Sequence, residues 1–346
     1  NMYRIIASII IIFSLSLFAQ NRNGTTSANF IEIDVGSAAS AMGGAYVCMT
    51  NDVTSIYWNP ANIVYLNQNE LLLIHEPWIA ETNRYIIASA IKIDNANSVG
   101  ISLNYLDYGS IEVTNIMNQD GTGEYYHPKE YSIGLSYAKK FVNWFSFGTT
   151  LKYISSKIWH SSAGAAAIDL GVLIRTPFLS ITESRKDGLS IGMSISNYGT
   201  KMKYGGIDLL NPIDISSEYG NYGNVEGQFK TQGWELPLLF RLGLSAKPWI
   251  SQTSELILAV DAIHSNNNSE YLNLGSQFTF APSARTKFYL RSGIKGLFMV
   301  DGEFGPAFGA GMKYQLKSGQ GIKLDYCYRT IWTFDNTHNY TLSLTF

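Results

Sequence analysis

The sequence predicts an all-β chain closed into a transmembrane antiparallel β-barrel of about fourteen strands with an N-terminal plug segment, and three observations predict it. The first is a period-two alternation running from about Glu70 to the last residue. In Tyr131-Ser132-Ile133-Gly134-Leu135-Ser136-Tyr137-Ala138 and in Leu189-Ser190-Ile191-Gly192-Met193-Ser194-Ile195-Ser196 the side chains change face at every residue. Such a strand is apolar on one side and wet on the other. The second observation is the register of the charges. Lys92, Lys152, Asp169, Arg175, Arg241, Asp261, Arg291, Lys295, Lys313, Lys323, Asp325 and Arg329 all fall on the small or polar face. A soluble sandwich also alternates, but a face this free of charge suits hydrocarbon, where a mid-depth lysine or arginine costs about 2–4 kcal/mol. A slip of one residue would carry every one of those ions into lipid. The third is the start of the chain, which reads as an export leader.

That leader has a basic residue at Arg4, an apolar stretch from Ile5 to Phe18 and a small residue, Ala19, before Gln20. It is too short for a spanning helix, which needs about 20 apolar residues, and fits a signal peptide over residues 1–19 cleaved after Ala19. Residues 20–69 differ in kind from the rest. Small residues crowd Gly36-Ser37-Ala38-Ala39-Ser40-Ala41-Met42-Gly43-Gly44-Ala45, and Asp52 to Ala61 contains Trp58-Asn59-Pro60-Ala61. Small side chains let backbones approach, Gly43-Gly44 permits a sharp turn and Asn59-Pro60 fixes another, so this segment is expected to be a compact plug.

Residues 70–346 form the expected barrel, with strands near 70–77, 84–93, 98–106, 131–141, 144–155, 165–176, 189–198, 236–246, 254–263, 270–280, 286–295, 306–316, 321–331 and 339–346. The first alternates poorly, in Glu70-Leu71-Leu72-Leu73-Ile74-His75-Glu76. With both barrel ends in the periplasm, the short connections 94–97, 142–143, 281–285 and 317–320 fall inside, and the longest, 107–130 and 199–235, fall outside. The connection 177–188 is longer than an inner turn should be. Aromatics such as Tyr85, Trp144, Tyr153 and Tyr314 stand at strand ends, where lipid meets headgroups.

Composition excludes several classes. A net charge of −2 and a pI near 6.2 leave no basic field for nucleic acid. Two cysteines cannot build a disulfide framework or a cysteine zinc site; Cys48 and Cys327 either bond plug to wall or stay free thiols. No Gly-x-Ser-x-Gly or His-Glu-x-x-His supports a mechanism, and the loop histidines His127, His160, His264 and His338 have no ligand spacing. Neither catalysis, a cofactor nor a metal is expected.

The block from Gly36 through Met42-Gly43-Gly44-Ala45 and Asp52 to Tyr57-Trp58-Asn59-Pro60-Ala61 resembles the N-terminal signature of the PorV/PorQ family. The resemblance continues through Asn104-Tyr105-Leu106-Asp107-Tyr108-Gly109, Gly121-Thr122-Gly123-Glu124-Tyr125 and Ile195-Ser196-Asn197-Tyr198-Gly199-Thr200. It implies a FadL-like barrel in the outer membrane of a diderm bacterium. It also implies two alternative roles. In one, the protein handles or anchors exported proteins that carry a C-terminal sorting domain, with a type IX translocon or attachment complex as partner. In the other, it takes up hydrophobic small molecules, and Phe30, Ile31, Ile33, Met42, Tyr46 and Trp58 are the residues placed to line a pocket. The outer loops favour the first role. Tyr125, Tyr126, Tyr219, Tyr222, Phe229 and Trp234 stand among Gly, Asn and Ser, the composition of an adaptable protein-binding surface.

Overall fold

The computed structural model describes residues 24–50, 52–216, 225–316, 319–334 and 336–346. The expected leader, residues 1–19, lies outside them. Fourteen long strands stand among the described residues: β1 (Glu70–Pro77), β2 (Asn83–Lys92), β3 (Asn97–Asp107), β4 (Lys129–Val142), β5 (Phe145–Ile158), β6 (Ser161–Arg175) and β7 (Ser190–Gly199), then β8 (Leu239–Ile250), β9 (Ser254–Ser265), β10 (Tyr271–Ser283), β11 (Thr286–Leu297), β12 (Phe304–Gln315), β13 (Gly321–Ile331) and β14 (Thr337–Thr345). Each pairs antiparallel with the next, and β1 pairs with β14 from Glu70↔Thr345 to His75↔Tyr340. Closure leaves no unpaired edge, as a lipid-embedded sheet requires.

The register follows the charges. Leu135, Leu151, Leu290 and Leu324 point outward and are about 60 % exposed, whereas Asp169, Asp261 and Arg329 point inward and are buried. In β1 the inward positions Leu72 and Ile74 are apolar because the interior they face is apolar: they pack with Val53, Ile56, Ile63 and Val64. That is why alternation fails there. β8 begins at Leu239 rather than at 236. Pro237 lacks a ladder donor, and the Asn197 amide takes its carbonyl at 2.9 Å instead.

The outer connections carry small ladders of their own. Ile111–Glu112 pairs with Tyr125–Tyr126, Leu210–Ile213 pairs with Val225–Gln228, and Gly205–Gly206 extends the sheet beside Ser161 and Ser162 of β6. Inside the cylinder run only short helices: α1 (Ser37–Ala41), α2 (Ser55–Trp58) and the 3-10 turns Asn29–Glu32 and Pro60–Tyr65. Among the described residues no helix is long and apolar enough to cross a membrane.

Candidate functional site

The N-terminal segment runs through the lumen from its outer mouth to its inner rim. Thr26 bridges to Glu235 of the longest outer loop, and at the other end the Gln68 amide donates to the Gly319 carbonyl of an inner turn at 2.6 Å. Between them Gly36, Met42, Gly43, Gly44, Asp52, Trp58, Asn59, Pro60 and Ala61 are all buried.

Each of these has a mechanical part. Asn59 accepts from the Ala61 N–H at 3.1 Å, capping the turn that Pro60 begins. Its amide donates to the carbonyls of Val47, at 3.1 Å, and Val172 of β6, at 2.9 Å. Asn62 adds bonds to Val47 and Met49. The Trp58 indole donates to the Val35 carbonyl at 3.0 Å, and its own carbonyl accepts from Ser194 of β7. Gly43 and Gly44, at φ 63° and 77°, make the turn that brings Met42 against the wall.

The wall is recessed where the segment touches it. Gly148 faces Gly171 across β5 and β6, Gly192 faces Gly243 across β7 and β8, and Gly275 faces Gly293 across β10 and β11. A methyl group at these sites would land on Asn59, Pro60 and Ala61, on Val47, or on Met42 and Gly43, respectively. Glycine inside a strand costs order but admits a second backbone. The legible signal was a glycine on the inward register, read only as a small residue; that such glycines pair across strands was not visible.

Charges clamp the rest. The Asp261 carboxylate accepts from the N–H groups of Tyr46 and Val47 at 2.7 and 2.9 Å. Asp34 pairs with Lys295 at 2.9 Å and Arg329 at 3.2 Å, and Arg329 also reaches Glu76. Arg84 pairs with Glu76 at 3.1 Å while donating to the Ile33 and Asp34 carbonyls. Lys323 joins Asp52 and Asp325, and Arg291 completes Asp325 at 2.7 Å. Buried ions with several partners each can repay their desolvation. The inward charges therefore hold the segment rather than line an open path. Cys48 and Cys327 are both buried and free, not bonded to one another.

At the outer mouth the loops close down on this filling. Ala28 and Phe30 pack with Met202, Leu236 and β6 alanines. Tyr204 bonds Ser156, and Thr231 bonds the Tyr204 carbonyl at 2.6 Å. Of the aromatic surface read from the sequence, Tyr125, Phe229 and Trp234 are exposed, Tyr126 leans on Trp159 with ring centres 5.9 Å apart, and Tyr219 and Tyr222 lie outside the described residues. Of the residues placed to line a hydrophobic pocket, Phe30, Ile31, Met42, Tyr46 and Trp58 are packed away; the cavity beside Ile31, Val35, Ile56 and Tyr57 measures about 40 Å³, far below the several hundred a small-molecule site needs. His160 and Ser161 both bond Asp208, at 2.8 and 3.4 Å, rather than each other.

Residues 17–220 match the family described as "Type IX secretion system protein PorV". No curated protein matches the chain by sequence. By structure the chain is similar to the CymD monoaromatic hydrocarbon channel, at 11 % identity and TM-score 0.57, over 91 % of this chain and 98 % of that one. It is also similar to a Pseudomonas aeruginosa FadL homologue, at 11 % and 0.53 over 90 % and 98 %, and to the Pseudomonas putida toluene transporter TodX, at 9 % and 0.55 over 90 % and 97 %. At such identities the likeness is one of fold.

Proposed function

From the premise that this chain belongs to the PorV family of type IX secretion system proteins, and so is an outer-membrane barrel, we propose that it handles exported polypeptides at its outer face. One observation carries the reading: an aromatic loop surface stands over a lumen already filled by the chain's own N-terminal segment. A polypeptide has no route through such a barrel, but it has a surface to dock on. Tyr125, Phe229 and Trp234 offer large, stiff contact area at low entropic cost. The cargo is an exported protein with a C-terminal sorting domain. The barrel takes it from the translocon or gives it to the surface-attachment complex. On export the leader is removed by cleavage after Ala19, which N-terminal sequencing of the mature protein tests.

Deletion of 205–230 tests the docking role cleanly, because the Tyr204–Thr231 hydrogen bond already holds the two new ends together. Cargo co-purification should be lost while the barrel keeps its heat-modifiable mobility on a gel. Undiminished cargo recovery would contradict the proposal.

A further inference from the structure

One inner connection is unlike the others. Residues 93–96, 143–144, 251–253 and 284–285 are tight turns, whereas 176–189 is a folded loop. Its centre is the Asp187 carboxylate, which accepts from the Ile181 and Thr182 N–H groups at 3.0 and 2.9 Å and from the Ser180 and Thr182 hydroxyls at 3.0 and 2.8 Å. Leu189 donates to the Phe178 carbonyl at 2.7 Å. With its polar groups turned inward, the loop displays Phe178, Leu179 and Ile181, which are 65, 59 and 53 % exposed.

The loop leans on the neighbouring turn. The Arg185 guanidinium stands over Trp144 at 5.9 Å, and the Lys139 ammonium stands over Phe141 at 5.4 Å. Lys186 adds a third exposed cation, and among the described residues none of Lys139, Arg185 and Lys186 has a carboxylate at ion-pair distance, whereas Lys140, opposite Ser146, stands on the inward register. Of the nearby acids, Asp187 is engaged within the loop, and Asp94 accepts from Ala96 and Asn97 while also feeling the Lys139 charge from beyond ion-pair distance. Glu183, like Asp94, is exposed.

We propose that this patch is a binding site for an anionic phospholipid of the periplasmic leaflet. It sits where the outward apolar faces of β4, β5 and β6 end, so acyl chains lying on Leu135, Leu151 and Leu170 bring a headgroup phosphate level with Lys139, Arg185 and Lys186. Phe178, Leu179 and Ile181 enter the interface beside it, as the apolar side of an interfacial element does. Charge sets the choice of occupant: exposed cations without an ion-pair carboxylate, beside aromatics at headgroup depth, fit a phosphate, and a neutral lipid gains nothing from them. The site is independent of cargo docking at the opposite face.

The test uses the full barrel in mild detergent, offered equal phosphatidylglycerol and phosphatidylcholine, with retained lipids counted by native mass spectrometry. The wild type should retain phosphatidylglycerol over phosphatidylcholine by about tenfold. K139Q/R185Q/K186Q should lose that preference, and the charge-preserving R185K/K186R should keep it. F178S/I181S should retain less of both lipids without changing their ratio. Heat-modifiability on a gel certifies each variant as folded. Equal retention of the two lipids by the wild type, or an unchanged preference in the folded triple variant, overturns the proposal.

Discussion

The two halves of the wall hold the same segment by different chemistry. Along β1 to β4 the contact is apolar: Leu72, Ile74, Ile86, Ala88, Ala90 and Ala138 pack on Val53, Ile56, Ile63 and Val64, with Arg84 and Glu76 paired at the outer end. Along β9 to β13 it is ionic and recessed, with Asp261, Arg291, Lys295, Lys323 and Arg329 facing the segment beside the Gly275–Gly293 seat. The difference teaches that a lumen need not be wet to be charged. On one side the segment is a hydrophobic core wrapped by strands; on the other it is a guest whose backbone the wall receives.

Four substitutions break or sharpen that comparison. The largest effect is expected at a seat. Gly171→Val drives a branched side chain into Asn59 and Pro60, and the folded barrel should lose more than about 4 kcal/mol or fail to form, read as loss of heat-modifiability. Next is the ionic half: Asp34→Ala leaves Lys295 and Arg329 buried without their shared carboxylate, at about 3–5 kcal/mol in urea unfolding. Adding K295M should recover part of that loss, since an apolar stem needs no partner. In the apolar half, Ile56→Ala opens a cavity against β1 and β2 and should cost about 3 kcal/mol, with no dependence on salt.

The smallest effect lies outside the lumen altogether. Partial burial pushes the Asp187 carboxyl up, but its four hydrogen bonds outweigh this and hold it below the usual carboxylate range. The loop's stabilisation is therefore full above the unfolded value near 3.9 and is lost as pH falls through the lower folded one. Limited proteolysis within 177–188 should accelerate only in that acid window. D187N should cost about 1 kcal/mol locally and leave the barrel unfolding midpoint unchanged.

Much of the barrel was legible because lipid allows one register only. The inward charges fixed the face of twelve positions, and every one of the fourteen expected strands overlaps an observed strand. What could not be read depends on contacts between distant residues. β1 looked irregular because its inward leucine and isoleucine meet an apolar segment, not water. The start of β8 was displaced by Pro237, whose carbonyl serves Asn197 instead of a ladder. Asp34, alone in Ile33-Asp34-Val35, was passed over, since only the fold brings Lys295 and Arg329 to it. The Asn59-Pro60-Ala61 block was visible as a turn, but its hold on Val172 of the wall was not.

The central claim is that the N-terminal segment is a fixed part of the barrel and not a gate. Hydrogen exchange of the Tyr46 and Val47 amides, both bonded to Asp261, tests it most directly in the intact outer-membrane protein. They should exchange as slowly as the amides of β9 and β10, while those of the 207–216 loop exchange fast. Exchange of Tyr46 and Val47 at the loop's rate would show a segment that leaves its seat, and the account would be wrong.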